Sequence, residues 1–302
     1  MSVFLYSVLP PLGLYTLISQ YLLKNPHHLH RKKKTAFYCT QISHRGGSGE
    51  KIENTMEAFT NAIENGSQML EMDCHLTKDG HVVVSHDENL KRQTGVDKDI
   101  SSLNLEDLPP YKERLEVTFN AGHGTDRKIA LLEDVFRKFP KIPVSIEIKE
   151  NNPQLMQENV SMPYSFSEQR GILLLLLYYT GLLPFVPVGE SVLQFYLPRI
   201  INRCVCRACL PCKRSSPGFK KKGQALTTMR KKLFKHLADR GIQVHLFVCN
   251  KNEDIKAAFD LGATGVMTDY PTLLSTYQIN FPFVRKRDQE HVKIEKPPAT
   301  FP

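Results

Sequence analysis

The chain has 302 residues, of which 41% are hydrophobic, enough for one large domain with a sizeable core. Its seven cysteines, an odd number without regular spacing, argue against the disulfide framework of a small secreted protein. The net charge of +9 is local: residues 191–238 contain twelve Lys/Arg and no Asp/Glu, whereas the rest of the chain has a net charge of −3. This basic segment lacks interleaved aromatic residues and follows an apolar run, so we expect an anionic bilayer and no nucleic acid as its partner.

The N-terminal segment, residues 1–23, is predicted to anchor the chain in a membrane. Residues 3–23 contain no charge and are about long enough to span a bilayer. A basic linker at 24–40 follows, and positive flanks normally stay cytoplasmic, so we expect the rest of the chain in the cytosol. A signal peptide is the alternative, although it would need basic residues before the apolar run.

Between residues 41 and 280 the pattern alternates between strands and helices. Apolar runs ending in polar residues predict strands at 41–44, 69–73, 81–86, 143–149, 243–250 and 265–270. Asn54 is expected to cap the helix that follows the first strand. Polar residues stand at the C-terminal ends of several different strands. This favours a (β/α) barrel, whose active site lies at the C-terminal ends of its strands. A doubly wound sheet is less favoured, because its site would lie at a single switch point in the strand order. The tail at 281–302, rich in charge and Pro, is predicted to be disordered.

Acidic side chains at the ends of two predicted strands indicate a metal site. Glu71 and Asp73 are two residues apart in one strand and point to the same side, and Glu147 closes another strand. Carboxylates that converge repel each other unless a cation joins them. An all-oxygen ligand set of this kind suits Mg²⁺ or Ca²⁺.

Basic side chains at the same strand ends supply the other groups needed for a hydrolysis. His44 and His86 are placed to act as general acid and general base. Arg45 and Lys149 provide positive charge for a phosphate. A single histidine at a strand end is more often structural, but acid, base and ligand types at the ends of four strands indicate a catalytic site.

Several motifs together resemble the glycerophosphodiester phosphodiesterase family. They are His44-Arg45-Gly46-Gly47, Glu53-Asn54-Thr55, Glu71-x-Asp73, Ser85-His86-Asp87, Glu147-Ile148-Lys149 and the run from Gly265 to Pro271. The resemblance implies a (β/α)8 TIM barrel and a divalent cation bound by Glu71, Asp73 and Glu147. It also implies proton transfer by His44 and His86, with His86 as a metal ligand in an alternative assignment.

The predicted N-terminal anchor and the sequence Gly181-Leu182-Leu183-Pro184-Phe185 resemble those of the lysophospholipase D subgroup of that family. This implies hydrolysis of lysoglycerophospholipids or glycerophosphodiesters at a membrane, predicted to be that of the endoplasmic reticulum or the perinuclear region. The headgroup alcohol would be released and lysophosphatidic acid left. A phospholipase C-like phosphodiesterase and a catalytically silent membrane protein are the alternatives.

The chain departs from the family after Lys149. Only residues 150–169 separate it from the next apolar run, too few for a complete βαβ crossover with a further helix. The sequence therefore predicts a TIM barrel of the phosphodiesterase type that lacks the region of the fifth strand, with an N-terminal membrane helix. The silent alternative rests on this gap.

Two further segments have competing explanations. The apolar run at 171–188 is expected to lie at a membrane interface beside the barrel mouth, with a second membrane span or a buried barrel helix as alternatives. Cys204, Cys206, Cys209 and Cys212 bind zinc, accept acyl chains or remain free thiols. Near the C-terminal end, Asp269 either orients a site residue or forms a turn.

Overall fold

The computed structural model describes residues 2–35, 37–117, 120–149, 162–197 and 229–280. The chain divides into two compact units. Unit 1 contains Met1–Ala36, Met162–Phe247 and Ala257–Thr264, and unit 2 contains Phe37–Ser161, Val248–Lys256 and Gly265–Pro302.

Helices and strands alternate through both units. The described helices are α1 (Ser2–Lys24), α2 (Met56–Glu64), α3 (Lys91–Thr94), α4 (Leu132–Lys138), α5 (Glu168–Thr180), α6 (Lys231–Asp239), α7 (Asn252–Leu261) and α8 (Pro271–Asn280). The described strands are β1 (Gln41–Ser43), β2 (Met69–Leu76), β3 (Val82–Val84), β4 (Arg114–Val117), β5 (Asn120–His123), β6 (Ala130–Leu131), β7 (Val144–Ile148), β8 (Val192–Tyr196), β9 (Gln243–Phe247) and β10 (Gly265–Thr268).

Strand β2 is the centre of unit 2. It pairs in parallel with β1 and β7, and β1 pairs in parallel with β10. Alternate residues of β2 point to opposite sides, so Leu70 and Met72 pack with Phe59 of α2 in one hydrophobic core. Glu71 and Asp73 consequently point to the other side. This alternation places two acidic side chains at buried positions away from the apolar core.

Helix α2 begins one residue later than the sequence pattern suggested. Thr55, not Asn54, caps it, and the Thr55 hydroxyl accepts a hydrogen bond from the Ala58 amide at 3.2 Å. Asn54 instead has a left-handed backbone conformation with φ of 59°. A non-glycine residue in this conformation is strained, and such strain concentrates at functional sites.

The third strand is not the parallel barrel strand that we expected. Strand β3 pairs antiparallel with the end of β2, with Cys74 opposite Val84. The turn after Thr77 explains this reversal, because Gly80 has a φ of +85° and follows Asp79, a favoured hairpin pair. β2 therefore runs on past Asp73 and folds back, and the Ser85 amide donates to the Asp73 carbonyl at 2.9 Å.

Unit 1 contains a parallel pair of strands, β8 and β9, in register from Val192 opposite Gln243 to Tyr196 opposite Phe247. Helix α6 buries Leu233, Phe234 and Leu237 along one face. Among the residues that the structure describes, no helix is both long and apolar enough to cross a membrane.

The α/β alternation expected from the sequence is present, but the described strands do not close into a barrel. Residues 150–161, where the fifth strand was predicted to be missing, lie outside the described residues. The cysteine cluster within 204–212 and the tail at 281–302 also lie outside them.

Hydrogen exchange should distinguish the two acidic strands of unit 2. Strand β2 is buried along almost its whole length, whereas β7 is only partly buried. We therefore expect the amides of residues 144–148 to exchange faster than those of residues 69–73, since exchange follows local opening. Equally strong protection of both strands would show that β7 is held as firmly as a central barrel strand.

Candidate active site

Three carboxylates from two neighbouring strands lie together on one side of the unit 2 sheet. Glu71 and Asp73 come from β2, and Glu147 of β7 is in register with Asp73. One oxygen of each carboxylate lies within 4.8 Å of the others. Glu71 and Asp73 are buried and Glu147 is exposed, so the group is reachable from solvent on the β7 side.

Burial and neighbouring charges shift the pKa values of Glu71 and Asp73. Burial, followed by the negative charge of Asp73, raises the pKa of Glu71 to about 7. Burial also acts to raise the pKa of Asp73, but the positive charges of Lys149 and Arg45 outweigh it and lower that pKa. A bound cation would offset the repulsion and favour the ionised form of Glu71.

The residues present fit a hard divalent cation. The Asn54 amide nitrogen donates to Asp73 Oδ2 at 3.2 Å, which directs its Oδ1 elsewhere. Within the described part of the chain, this buried oxygen has no hydrogen-bond partner. A buried oxygen of this kind needs a water or an ion. The three carboxylates themselves give the all-oxygen surroundings that Mg²⁺ and Ca²⁺ prefer.

His44 is held by a buried carboxylate. His44 is the first residue of a tight turn in which Gly47 has a φ of +95°. A β-carbon on Gly47 would lie only 2.7 Å from the ring of Pro271, so the turn requires glycine there. His44 Nδ1 donates to Asp269 Oδ1 at 2.6 Å. Burial acts to lower the pKa of His44, but the charge and hydrogen bond of Asp269 outweigh it and raise that pKa. The imidazole is therefore fixed in orientation and favoured in its protonated form.

Asp269 is itself fixed by neighbouring polar groups. The Ser48 hydroxyl donates to Asp269 Oδ1 and the Asn250 amide donates to Asp269 Oδ2, each at 2.6 Å. Burial acts to raise the pKa of Asp269, but the charge of His44 and these hydrogen bonds lower it. Of the two roles left open by the sequence, the structure shows the orienting one.

Arg45 and Lys149 bring positive charge to the carboxylates. The Arg45 amide donates to Glu71 Oε2 at 2.8 Å, and its guanidinium lies 3.6 Å from Asp73. The Lys149 ammonium contacts Asp73 at 3.0 Å and Glu147 at 2.7 Å. Both cations therefore lie beside the group that we expect to bind metal.

His86 is oriented by the carboxylate next to it in sequence. Its Nδ1 lies 2.6 Å from Asp87 Oδ1. Arg92 donates from Nε to Asp87 Oδ2 at 2.5 Å and from Nη2 to Glu53 Oε1 at 2.6 Å. Glu53 is fully buried and also accepts from Arg45 at 3.0 Å. Arg92 thus connects Asp87, which orients His86, with Glu53, which binds Arg45.

The structure brings the sequence-predicted site residues into one region of unit 2. They are His44, Arg45, Glu71, Asp73, His86, Glu147 and Lys149. Two supporting residues were missed. Glu53 could have been found, because it belongs to the Glu53-Asn54-Thr55 motif. Arg92 could not, because it lies on a short helix 39 positions after its partner Glu53 and belongs to no motif.

The bridge made by Arg92 can be tested through stability. We expect Arg92→Ala to lower the free energy of unfolding by about 2–3 kcal/mol, because it removes two charge-assisted hydrogen bonds, one of them to a buried carboxylate. Denaturant titration measures this. Lys91→Ala is the matched control, since Lys91 pairs with Asp97 at the exposed surface and such pairs contribute little to stability. Equal losses in both variants would contradict the assigned bridge.

Comparison with known proteins places these residues in a family. The glycerophosphoryl diester phosphodiesterase family matches residues 44–170, which include the seven site residues named above. Among solved structures, a glycerophosphodiester phosphodiesterase from Thermotoga maritima has a TM-score of 0.54 at 24% sequence identity, and the match covers 80% of this chain and 99% of that one. This likeness supports the TIM-barrel-like α/β fold.

Curated relatives match over almost the whole chain. The human protein lysophospholipase D GDPD3 is 44% identical over 93% of this chain and 98% of its own length. The human protein lysophospholipase D GDPD1 is 44% identical over 91% of this chain and 98% of its own length. The similarity to the lysophospholipase D subgroup predicted from the sequence is therefore confirmed. The chain belongs to the glycerophosphoryl diester phosphodiesterase family.

Proposed function

We propose that the chain is a lysophospholipase D, a hydrolase that cleaves the phosphodiester of lysoglycerophospholipids and related glycerophosphodiesters. It releases the headgroup alcohol and leaves lysophosphatidic acid. The observation that carries this proposal is the set of three carboxylates within 4.8 Å of each other, with His44 and His86 beside them, each held by an aspartate. Relatives named lysophospholipase D at 44% identity support the same activity.

We assign Mg²⁺ or Ca²⁺ to Glu71, Asp73 and Glu147. When bound, such an ion neutralises charge on the phosphate and lowers the pKa of a hydroxyl. Lys149 contacts two of these carboxylates, so we expect its ammonium to turn towards the substrate phosphate when they bind metal. Arg45, fixed by Glu53, supplies a second positive charge for the phosphate.

The two histidines divide the proton transfers between them. Asp269 raises the pKa of His44 and so favours its protonated form, which suits it to give a proton to the departing alcohol. His86, oriented by Asp87, is then the group that removes a proton from the nucleophile. If His86 is a metal ligand instead, its replacement would weaken metal affinity more than turnover.

The free glycerol hydroxyl of a lysolipid is the nucleophile that we favour. Its oxygen attacks phosphorus, its proton passes to His86, and the bond from phosphorus to the headgroup oxygen breaks as that oxygen takes a proton from His44. Water then attacks phosphorus and gives a proton to His44, while the bond from phosphorus to the glycerol oxygen that attacked first breaks and that oxygen takes back the proton from His86. Both histidines return to their starting forms and lysophosphatidic acid is left. An intramolecular attack gains a large effective molarity. A diacyl lipid lacks this hydroxyl, so we expect the chain to prefer lysolipids.

We further propose that the chain is attached to a membrane of the endoplasmic reticulum or perinuclear region, with unit 2 in the cytosol. The uncharged run at 3–23 and the basic residues after it support this placement. Protease protection of the tagged chain in isolated microsomes would test it, and a protected unit 2 would contradict it.

The activity can be tested with lysophosphatidylcholine. We expect choline and lysophosphatidic acid as products, no activity after exhaustive chelation, and recovery with Mg²⁺ or Ca²⁺. Phosphorus NMR identifies the product and detects a cyclic phosphate if one forms. Phosphocholine as product would indicate the phospholipase C-like alternative. No turnover with any divalent ion, in a chain that is folded, would indicate the silent alternative.

The role of Asp269 predicts a change in the pH dependence of kcat/KM. If His44 must be protonated, activity falls as the pH rises through its pKa. Asp269→Asn removes the negative charge that raises this pKa, so the alkaline limb should move to lower pH. Ser48→Ala is the control, because it removes a hydrogen bond from the same carboxylate but keeps the charge. An alkaline limb that stays in place in Asp269→Asn would contradict the assignment of His44 as the acid.

A further inference from the structure

Two non-glycine residues adopt the left-handed backbone conformation in the part of the chain that the structure describes. They are Arg45, with a φ of 51°, and Asn54, with a φ of 59°. Residues other than glycine rarely adopt this conformation, and it persists only where the surrounding structure holds it. The Asn54 amide donates to the Arg45 carbonyl at 3.0 Å. Arg45 and Asn54 are therefore fastened directly to each other, and we call them the left-handed pair.

Each member of the left-handed pair donates to one of the two buried carboxylates of β2. The Arg45 amide donates to Glu71 Oε2 at 2.8 Å, and Asn54 Nδ2 donates to Asp73 Oδ2 at 3.2 Å. Because Oδ2 is taken, Asp73 presents Oδ1, which contacts Lys149 Nζ at 3.0 Å. One oxygen of each carboxylate is thus held by the pair.

A role in the turn alone does not account for the side chain of Asn54. Asparagine in a turn ordinarily uses its side-chain oxygen to accept a hydrogen bond from the backbone two residues further on. Asn54 Oδ1 accepts no hydrogen bond from the described residues, although Asn54 is fully buried. Glycine would form the same turn without strain and without a buried oxygen that lacks a partner. The side chain of Asn54 therefore serves its contact with Asp73.

The contact at position 54 requires a neutral hydrogen-bond donor. The amide group of asparagine donates, whereas an ionised carboxylate only accepts. Aspartate tolerates the left-handed conformation as asparagine does, but it would add a negative charge beside Asp73. Asparagine is thus the side chain that combines this backbone conformation with a donor for Asp73.

Carboxylates that are held in place matter more to a small cation than to a larger one. Mg²⁺ requires nearly ideal octahedral geometry with oxygen distances of about 2.0–2.1 Å, whereas Ca²⁺ accepts flexible arrangements at about 2.3–2.6 Å. Groups that orient metal ligands also contribute strongly to metal affinity. Loosening Asp73 should therefore weaken the binding of Mg²⁺ more than that of Ca²⁺.

We propose that Asn54 is a positioning residue for the metal site, and that its hydrogen bond to Asp73 raises the preference of the site for Mg²⁺ relative to Ca²⁺. Arg45 holds Glu71 through its backbone amide, which no change of side chain removes. Asn54 is therefore the member of the left-handed pair whose contribution a substitution can remove. The inference rests on the proposed metal assignment and deepens it by stating which ion the geometry favours.

Isothermal titration calorimetry of the full chain, chelated beforehand, measures the affinities for Mg²⁺ and Ca²⁺ without turnover. Asn54→Gly keeps the left-handed backbone and removes the amide group. Asn54→Asp keeps the shape of the side chain and replaces the donor by an acceptor. Asn104→Gly is the matched control, because Asn104 also donates to an aspartate, Asp107, at 3.1 Å but at the exposed surface.

The ratio of the two affinities isolates the geometry of the site. In Asn54→Gly we expect the affinity for Mg²⁺ to fall by about 10–100-fold, the range for groups that orient metal ligands, and that for Ca²⁺ to fall less. The added charge in Asn54→Asp acts on both divalent ions alike, so the ratio of affinities should again move towards Ca²⁺. Asn104→Gly should keep the ratio of the wild type.

The melting temperature without added ion reports the fold of each variant separately. A lower melting temperature in Asn54→Gly, with both affinities unchanged, would show that Asn54 only supports the fold. Equal losses of affinity for Mg²⁺ and Ca²⁺ would overturn the proposed preference. Unchanged Mg²⁺ affinity in Asn54→Gly would overturn this inference alone, whereas a wild-type chain that binds neither ion would overturn the metal assignment with it.

Discussion

The closeness of three carboxylates on adjacent strands is the constraint on which the rest of unit 2 depends. The register of β2 and β7 places Asp73 beside Glu147, and the alternation of β2 places Glu71 on the same side. Two of these groups are buried, and charges of like sign in a buried site are costly unless they are paired. Arg45 and Lys149 reduce this cost, and the raised pKa of Glu71 shows that they do not remove it.

The supporting groups add to the negative charge instead of cancelling it. Among the described residues, the cations in contact with the carboxylates of the site are Arg45, Arg92 and Lys149. The carboxylates are six in number: Glu53, Glu71, Asp73, Asp87, Glu147 and Asp269. His44 supplies one more positive charge when it is protonated. A divalent cation would make up the remaining difference, which explains in electrostatic terms why this arrangement of acids is suited to a metal. The same acids that orient the histidines therefore also increase the need for the ion.

The sequence predicted the chemistry of the site better than its architecture. Residues at strand ends, such as Glu71 and His86, could be identified because a period of two and the position after an apolar run are local signals. The reversal of β3 depended on the turn at Asp79 and Gly80, and the role of Asn54 depended on its left-handed backbone. Arg92 could not be found, because its partners Glu53 and Asp87 are brought to it only by folding. Whether the strands close into a barrel was the least predictable feature, since it depends on pairing between strands that are distant in sequence, and the described strands do not close.

Metal binding by the three carboxylates can be measured without turnover. The direct measurement is the melting temperature of the chelated chain as Mg²⁺ or Ca²⁺ is added, for the wild type and for Glu71→Gln, which keeps the shape of the side chain and removes its charge. Because a ligand that binds only the folded state stabilises it in proportion to the logarithm of its concentration, the wild-type melting temperature should rise with the ion and that of Glu71→Gln should rise much less. No rise in the wild type, or the same rise in both proteins, would contradict the assignment of these carboxylates as the metal site.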